Sequence, residues 1–146
     1  MSSSTESLAR QNYSTEVEAA VNKQINIELY ASYVYLSMAA YFERDDVALP
    51  NTAKFMRKSS DEEREHAIGL MKLQSLRGGR VIFQNIEKPE KDEWGTALEA
   101  FQAVLALEKF NNKSLLELHG IGARNNDTHM TSFLEDKYLH EQVKER

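Results

Sequence analysis

Asp61-Glu62-Glu63-Arg64-Glu65-His66 decides the reading of this chain. It lies midway along a proline-free, strongly helical run from about Asn51 to Arg77. An α-helix turns once every ~3.6 residues, so Glu63 and His66 stand one turn apart on one face. That face continues through Met56, Ser59, Leu70 and Leu73 at alternating steps of three and four, the pattern of a stripe that a helix buries. A carboxylate and an imidazole inside a buried stripe are costly unless paired or bound to a metal. Alone, the stretch also suits an ordinary charged helix, so the segments around it decide.

Composition narrows the field. The 146 residues suffice for one domain with a real core, and 1–146 reads as a single unit with a flexible lead-in over 1–13. Two prolines, six glycines and long charged-apolar alternation favour helices. The absence of cysteine excludes disulfides, thiol catalysis and thiolate metal sites. A net charge of -5 with no basic block argues against nucleic acid as a partner. No apolar run approaches the ~18 residues needed to cross a membrane. Met1 to Thr5 is polar and unlike a signal peptide, so the expected location is cytoplasmic.

Upstream of the motif, Ser14 or Thr15 caps a segment running to about Glu43 without proline or glycine. Its stripe, Val17, Val21, Gln24, Glu28, Ala31, Tyr35, Met38 and Phe42, has the spacing of a bundle helix. The short connection from Arg44 to Pro50 makes the motif's own helix antiparallel to it. Gly69 costs that helix up to ~1 kcal/mol relative to alanine, and Gly78-Gly79 ends it. Residues 80–95 form a long link with strand-like Val81, Ile82 and Phe83 and a helix-breaking Pro89; such a link can cross the bundle, so that the third helix runs parallel to the second. The third helix runs from a Thr96 cap to about Arg124, with the stripe Leu98, Phe101, Leu105, Glu108, Asn112, Leu115. Thr128 caps a fourth helix carrying Leu134, Tyr138, Gln142 and Glu145 along one side. At ~1.5 Å per residue the first three helices span ~42 Å and the fourth ~27 Å. The expected fold is all-α: an antiparallel four-helix bundle with one long crossover between the second and third helices and a shortened fourth.

Each inward stripe carries an acid or amide near its middle: Glu28, then Glu63 with His66, then Glu108, then Gln142. Glu-x-x-His facing into a bundle is a half-site of di-iron carboxylate proteins. Brought to one depth, these groups satisfy one another through metal ions, and carboxylates with one imidazole suit Fe(II), Mn or Zn. Glu63 is placed to bridge two ions, with Glu28 and His66 completing one site and Glu108 the other. Tyr35 lies two turns after Glu28, where its hydroxyl can hold a ligand carboxylate. Other readings stay open for single members: Glu108, next to Lys109, suits a solvated face, Gln142 an ordinary chain-end polar residue, and Tyr35 a core tyrosine.

From Arg10-Gln11-Asn12-Tyr13 onward the chain resembles eukaryotic ferritin of the heavy, catalytic type. The resemblance is carried by Ile27-Glu28-Leu29-Tyr30-Ala31-Ser32-Tyr33-Val34-Tyr35, Arg44-Asp45-Asp46-Val47-Ala48-Leu49, Glu62-Glu63-Arg64-Glu65-His66-Ala67, Leu76-Arg77-Gly78-Gly79-Arg80, Leu107-Glu108-Lys109 and Tyr138-Leu139-His140-Glu141-Gln142-Val143-Lys144. It implies iron storage and ferroxidase activity: two Fe(II) per subunit oxidised by O2 inside the bundle, the ferric product mineralising in a homo-oligomeric cage of twenty-four subunits. It implies as ligands Glu28, Glu63, His66, Glu108 and Gln142, with Tyr35 and Glu62 beside them.

The chain also departs from that pattern. Of two acids lining the family's threefold entry channel, Glu135 is present but Ser132 takes the first place, with channel-side His119 nearby, which itself also suits a surface helix. The acids that nucleate mineral are represented by Glu62 and Glu65, with Ile68 at the next position. Glu145, one turn after Gln142, suits either a further ligand or a solvated end. The family's fourth helix continues past Arg146 and is followed by a fifth, so the expectation is a chain truncated within helix four, with an exposed apolar groove and a loose second iron site. The alternative reading is a structural or interaction subunit with altered cage assembly. A DNA-protecting mini-ferritin is disfavoured, because such proteins place their metal site between subunits.

Overall fold

A computed structural model of the chain describes residues 9–139. Three long helices dominate: α1 (Thr15–Phe42), α2 (Pro50–Leu76) and α3 (Ala97–Arg124), followed by α4 (Thr128–Leu134) and a π-helical turn over Glu135–Leu139. No strand occurs among the described residues. Local chemistry fixes the ends. Ser14 Oγ accepts from Val17 N at 3.0 Å; Thr96 and Glu99 form a reciprocal capping box; Gly78, at φ +80°, turns the chain out of α2 where a Cβ would lie 2.6 Å from the Arg10 backbone.

Hydrogen bonds at both ends of each pair set the helix directions. Gln74 Nε2 donates to Glu18 O at 2.9 Å, while Arg57 pairs with Glu43 at the other end; α1 and α2 are antiparallel. Arg124 pairs with Glu16 at 2.8 Å, and the Tyr41 hydroxyl donates to Gly95 O at 2.8 Å, so α3 is also antiparallel to α1 and parallel to α2. The crossover achieves this by running the length of α1, from Arg80 N on Glu18 Oε2 (2.8 Å) to Trp94 Nε1 on Ser37 Oγ (3.0 Å). Val81, Ile82 and Phe83 form no strand: Val81 packs on the core, Ile82 and Phe83 are exposed, and Ile82 N donates to the Asn22 side chain rather than to a neighbouring strand.

The lead-in expected over 1–13 lies partly outside the described residues, but its last residues are tied down. Tyr13 is buried, hydrogen-bonded to Gln74 and faced by the guanidinium carbons of Arg10 and Arg77 at 5.4 and 4.6 Å. Arg77 then forks onto both oxygens of Asp127 at 2.9 and 3.1 Å. Asp127, not Thr128, caps α4, accepting from Met130 N at 3.0 Å. Gly69 has a function beyond its helix cost: a Cβ there would stand 2.6 Å from the Tyr138 hydroxyl.

Among the described residues the apolar core forms two clusters. One gathers Val17, Val21, Ile25, Leu70, Leu115, Met130 and Leu134; the other gathers Met38, Phe42, Met56, Trp94, Ala100 and Val104. Between them in sequence, on three helices, lie the buried polar residues Glu28, Ser60, Glu63 and Asn111, with buried Gln24 one turn before Glu28. The stripe expected on the third helix is corrected by one position. Leu98, Phe101 and Leu105 are exposed, whereas Ala100, Val104, Asn111, Leu115, Leu118 and Gly122 are buried. Both sets follow three-four spacing, and Phe101 and Leu105 line an open groove instead of the core.

Candidate metal centre

α1 and α2 pack face to face at mid-bundle. Ser60 Oγ donates to Ser32 O at 2.7 Å and Ser32 Oγ to Ser60 O at 2.8 Å. This reciprocal pair sits one turn after Glu28 and one turn before Glu63, and it draws the two carboxylates together. Glu28 is fully buried and Glu63 is 5% exposed. His66 Nδ1 lies 3.6 Å from Glu28 Oε2 and 3.6 Å from Glu63 Oε2. One donor atom from each of the three falls within 4.8 Å of the others. Two carboxylates and an imidazole at this spacing have the donor chemistry of a site for Fe(II), Mn or Zn.

The protonation of the metal-free cluster follows from burial and proximity. Burial pushes the Glu63 carboxyl up, and bonding with Glu28 adds to it, reaching about 9. Burial alone would lower His66; the facing carboxylates of Glu28 and Glu63 override this and raise it to about 11. Burial likewise opposes charge on Glu28, but its bonds with Glu63, His66 and Gln24 bring its carboxyl below the ordinary value. One ionised carboxylate, one protonated carboxyl and one imidazolium therefore balance their charges inside the bundle at neutral pH.

Glu108 approaches from α3. It accepts a hydrogen bond from the Tyr35 hydroxyl, and burial followed by the Glu108 charge raises the Tyr35 phenol, keeping it a donor. Glu108, Glu62, Glu63, His66 and Tyr35 line one cavity of about 860 Å³, walled on its apolar side by Phe55, Phe101, Val104 and Leu105. Glu62 is exposed, 4.0 Å from Lys58, and Glu65 points to a second groove with Lys72 and His129. His119 and Glu135 pair with each other at 2.6 Å on the surface, away from this cluster. Gln142 and Glu145 lie outside the described residues.

Three residues escaped the reading of the sequence as site members. Gln24, already on the inward stripe of α1, donates to Glu28 Oε1 at 3.0 Å. Asn111 donates to Glu28 and Glu63; it was hidden by the one-position shift of the α3 stripe. Tyr138 donates its hydroxyl to His66 O at 2.8 Å and packs edge-on against the imidazole, centroids 5.3 Å apart. Its spacing from Leu134 marked it as inward, but nothing local marked His66 as its partner.

A family model for the ferritin-like domain matches residues 18–146. Soma ferritin of Lymnaea stagnalis is 59% identical to the chain over 138 residues, covering 94% of this chain and 79% of that protein. With a matching bundle, crossover and carboxylate-histidine cluster already in place, this chain belongs to the ferritin family.

Proposed function

We propose that the chain is an iron-storage subunit with ferroxidase activity. It takes two Fe(II) ions as substrate, passes one electron from each to O2, and delivers Fe(III) to a mineral held by a cytoplasmic homo-oligomeric cage. The observation that carries the reading is the convergence of Glu28, Glu63 and His66 donor atoms within 4.8 Å. Membership of the ferritin family supports iron as the metal. Glu28 and His66 hold the first ion, Glu63 bridges, and Glu108, steadied by Tyr35, receives the second together with Gln142; Glu62 and Glu145 extend the acid supply at the two ends. Glu65 serves nucleation, and His119 with Glu135 serves cation entry. Binding requires Glu63 and His66 to surrender their protons, so the site exchanges proton charge for metal charge. The residues of 1–146 act as one domain.

The test is the rate at which Fe(II) becomes ferric in air-saturated buffer. Wild type is expected to oxidise it far faster than Glu63→Ala. Equal, slow rates in the two proteins would refute the enzymatic reading.

A second reading follows from the open groove, where Phe55, Phe101 and Leu105 are exposed. Apolar surface of this kind marks an interaction face, as in a subunit that joins or modifies an assembly. Native mass in solution decides: a lone, stable, iron-inert monomer would sink this reading.

A further inference from the structure

We propose that Asn111 is a positioning residue of the metal centre, one that sets the spacing of Glu28 and Glu63 before any ion arrives. The proposal rests on the di-metal reading above and concerns a residue that reading does not use. Asn111 is 1% exposed, midway along α3. Its Nδ2 donates to Glu28 Oε2 at 3.3 Å and to Glu63 Oε2 at 3.2 Å. Its Oδ1 accepts from Gln24 Nε2 at 3.0 Å. Both amide protons and the amide oxygen are thus engaged, and Gln24 in turn holds Glu28 Oε1 at 3.0 Å. The two carboxylate oxygens that Asn111 touches are the same two that His66 Nδ1 faces at 3.6 Å.

The chemistry explains why an amide is suited to this place. Two carboxylates turned toward one another repel when both are ionised, as metal binding requires. An NH2 group shared between them offsets that repulsion without carrying a charge that would repel a cation. Each carboxylate oxygen has two lone pairs, so a bond from Nδ2 leaves one free for metal. Hydrogen-bonded ligand carboxylates are oriented for the metal, and removing such partners typically weakens affinity by roughly 10- to 100-fold. Asn111 reaches both ligands from a third helix, so α3 contributes to the first site, whose donors Glu28, Glu63 and His66 come from α1 and α2.

The experiment uses Co(II) as the probe, in the whole chain, because it is air-stable and its visible spectrum reports ligand geometry. Wild type, Asn111→Leu, Asn111→Ala, Asn112→Leu and Glu63→Ala are titrated by calorimetry and absorbance, with thermal unfolding recorded alongside. Asn111→Leu and Asn111→Ala are expected to weaken Co(II) binding by roughly 10- to 100-fold and to alter the visible bands, while Asn112→Leu matches wild type in both. The alanine variant covers the case in which leucine does not pack. Unchanged affinity and spectrum with lowered thermal stability would make Asn111 a purely structural residue and overturn the proposal. Failure of both Asn111 variants to fold would do the same. A wild type that binds no Co(II), or binds it equally well as Glu63→Ala, would instead overturn the underlying di-metal reading.

Discussion

Metal binding should expel protons, and the number follows from the cluster. In the metal-free bundle Glu63 titrates at about 9 and His66 at about 11. Both hold a proton at neutral pH, whereas Glu28, shifted downward, holds none. Ligation needs a carboxylate and a neutral imidazole. Filling the first site near pH 7 should therefore release about two protons, and the affinity should rise with pH by approaching ~100-fold per unit while both groups remain below their titration points. Zn(II) serves as the ion, since it does not react with O2. Calorimetry in two buffers of different ionisation enthalpy counts the protons directly, and the same titration repeated between about pH 6 and pH 8 gives the slope. Glu63→Gln should lose about one proton from the count and flatten the slope by about half. Release of less than one proton by wild type, or an affinity indifferent to pH, would refute the reasoning: the cluster would then be neither the binding site nor protonated as its burial demands.

Three other perturbations are specific. Asp127→Ala removes a 2% exposed carboxylate that pairs with Arg77 and caps α4, and should cost about 3–5 kcal/mol in chemical denaturation; Asp127→Asn keeps a capping oxygen and should cost visibly less, whereas equal effects would show that the charge is unimportant. Gly69→Ala places a Cβ against the Tyr138 hydroxyl and should cost about 1–3 kcal/mol, with Tyr138→Phe in the same chain restoring part of it; an additive double variant would contradict the close contact. Metal-free stability should fall as pH rises above about 4.5, and more steeply from about 6.5 toward about 9 and beyond. Glu63 and His66 both have folded values above their unfolded ones, so their contribution is full below the unfolded values of 4.5 and 6.5 and is lost as pH climbs through the folded ones. Thermal melts should show the decline, and Glu63→Gln should lessen it; a metal-free melting temperature that climbs across that range would contradict the sign.

Helix number, order and direction were readable because each long helix carries one continuous three-four period and a recognisable end: the Thr96 cap, the Gly78 stop, the short turn before Pro50. The register of α3 was not. Ala100, Val104, Asn111 and Leu115 form as good a stripe as Leu98, Phe101, Leu105 and Leu115, and the choice between them is made by which side faces α1, a tertiary fact. That one-position ambiguity concealed Asn111. The cap of α4 was misassigned for a related reason: Asp127 and Thr128 are both good caps, and Arg77, fifty residues away in sequence, selects Asp127. The strand propensity of Val81 to Phe83 had no partner strand to express it, so side chains of α1 took up the backbone instead.

The two halves of the centre differ in how they are held. Glu28, Glu63 and His66 come from α1 and α2, which are locked within one turn of these residues by the Ser32–Ser60 exchange, while Gln24 ties Glu28 to Asn111 of α3. Their carbonyl and imidazole supports extend to Tyr138, whose position depends on the Arg77–Asp127 pair at the start of α4. Glu108 has the Tyr35 hydroxyl and the wall of an open groove. Disturbing the α4 anchor should therefore reach His66 through Tyr138 while leaving the two carboxylates in place, so the imidazole is the member of the proposed first site most exposed to distant damage. A buried polar cluster of this kind gives up apolar contact that leucine or methionine would supply. The fold tolerates that because Gln24, Asn111 and Ser60 satisfy the buried groups around it. What distinguishes this layer from a merely polar core is that its carboxylates are brought to one point while keeping lone pairs to spare, which is the condition a divalent ion needs.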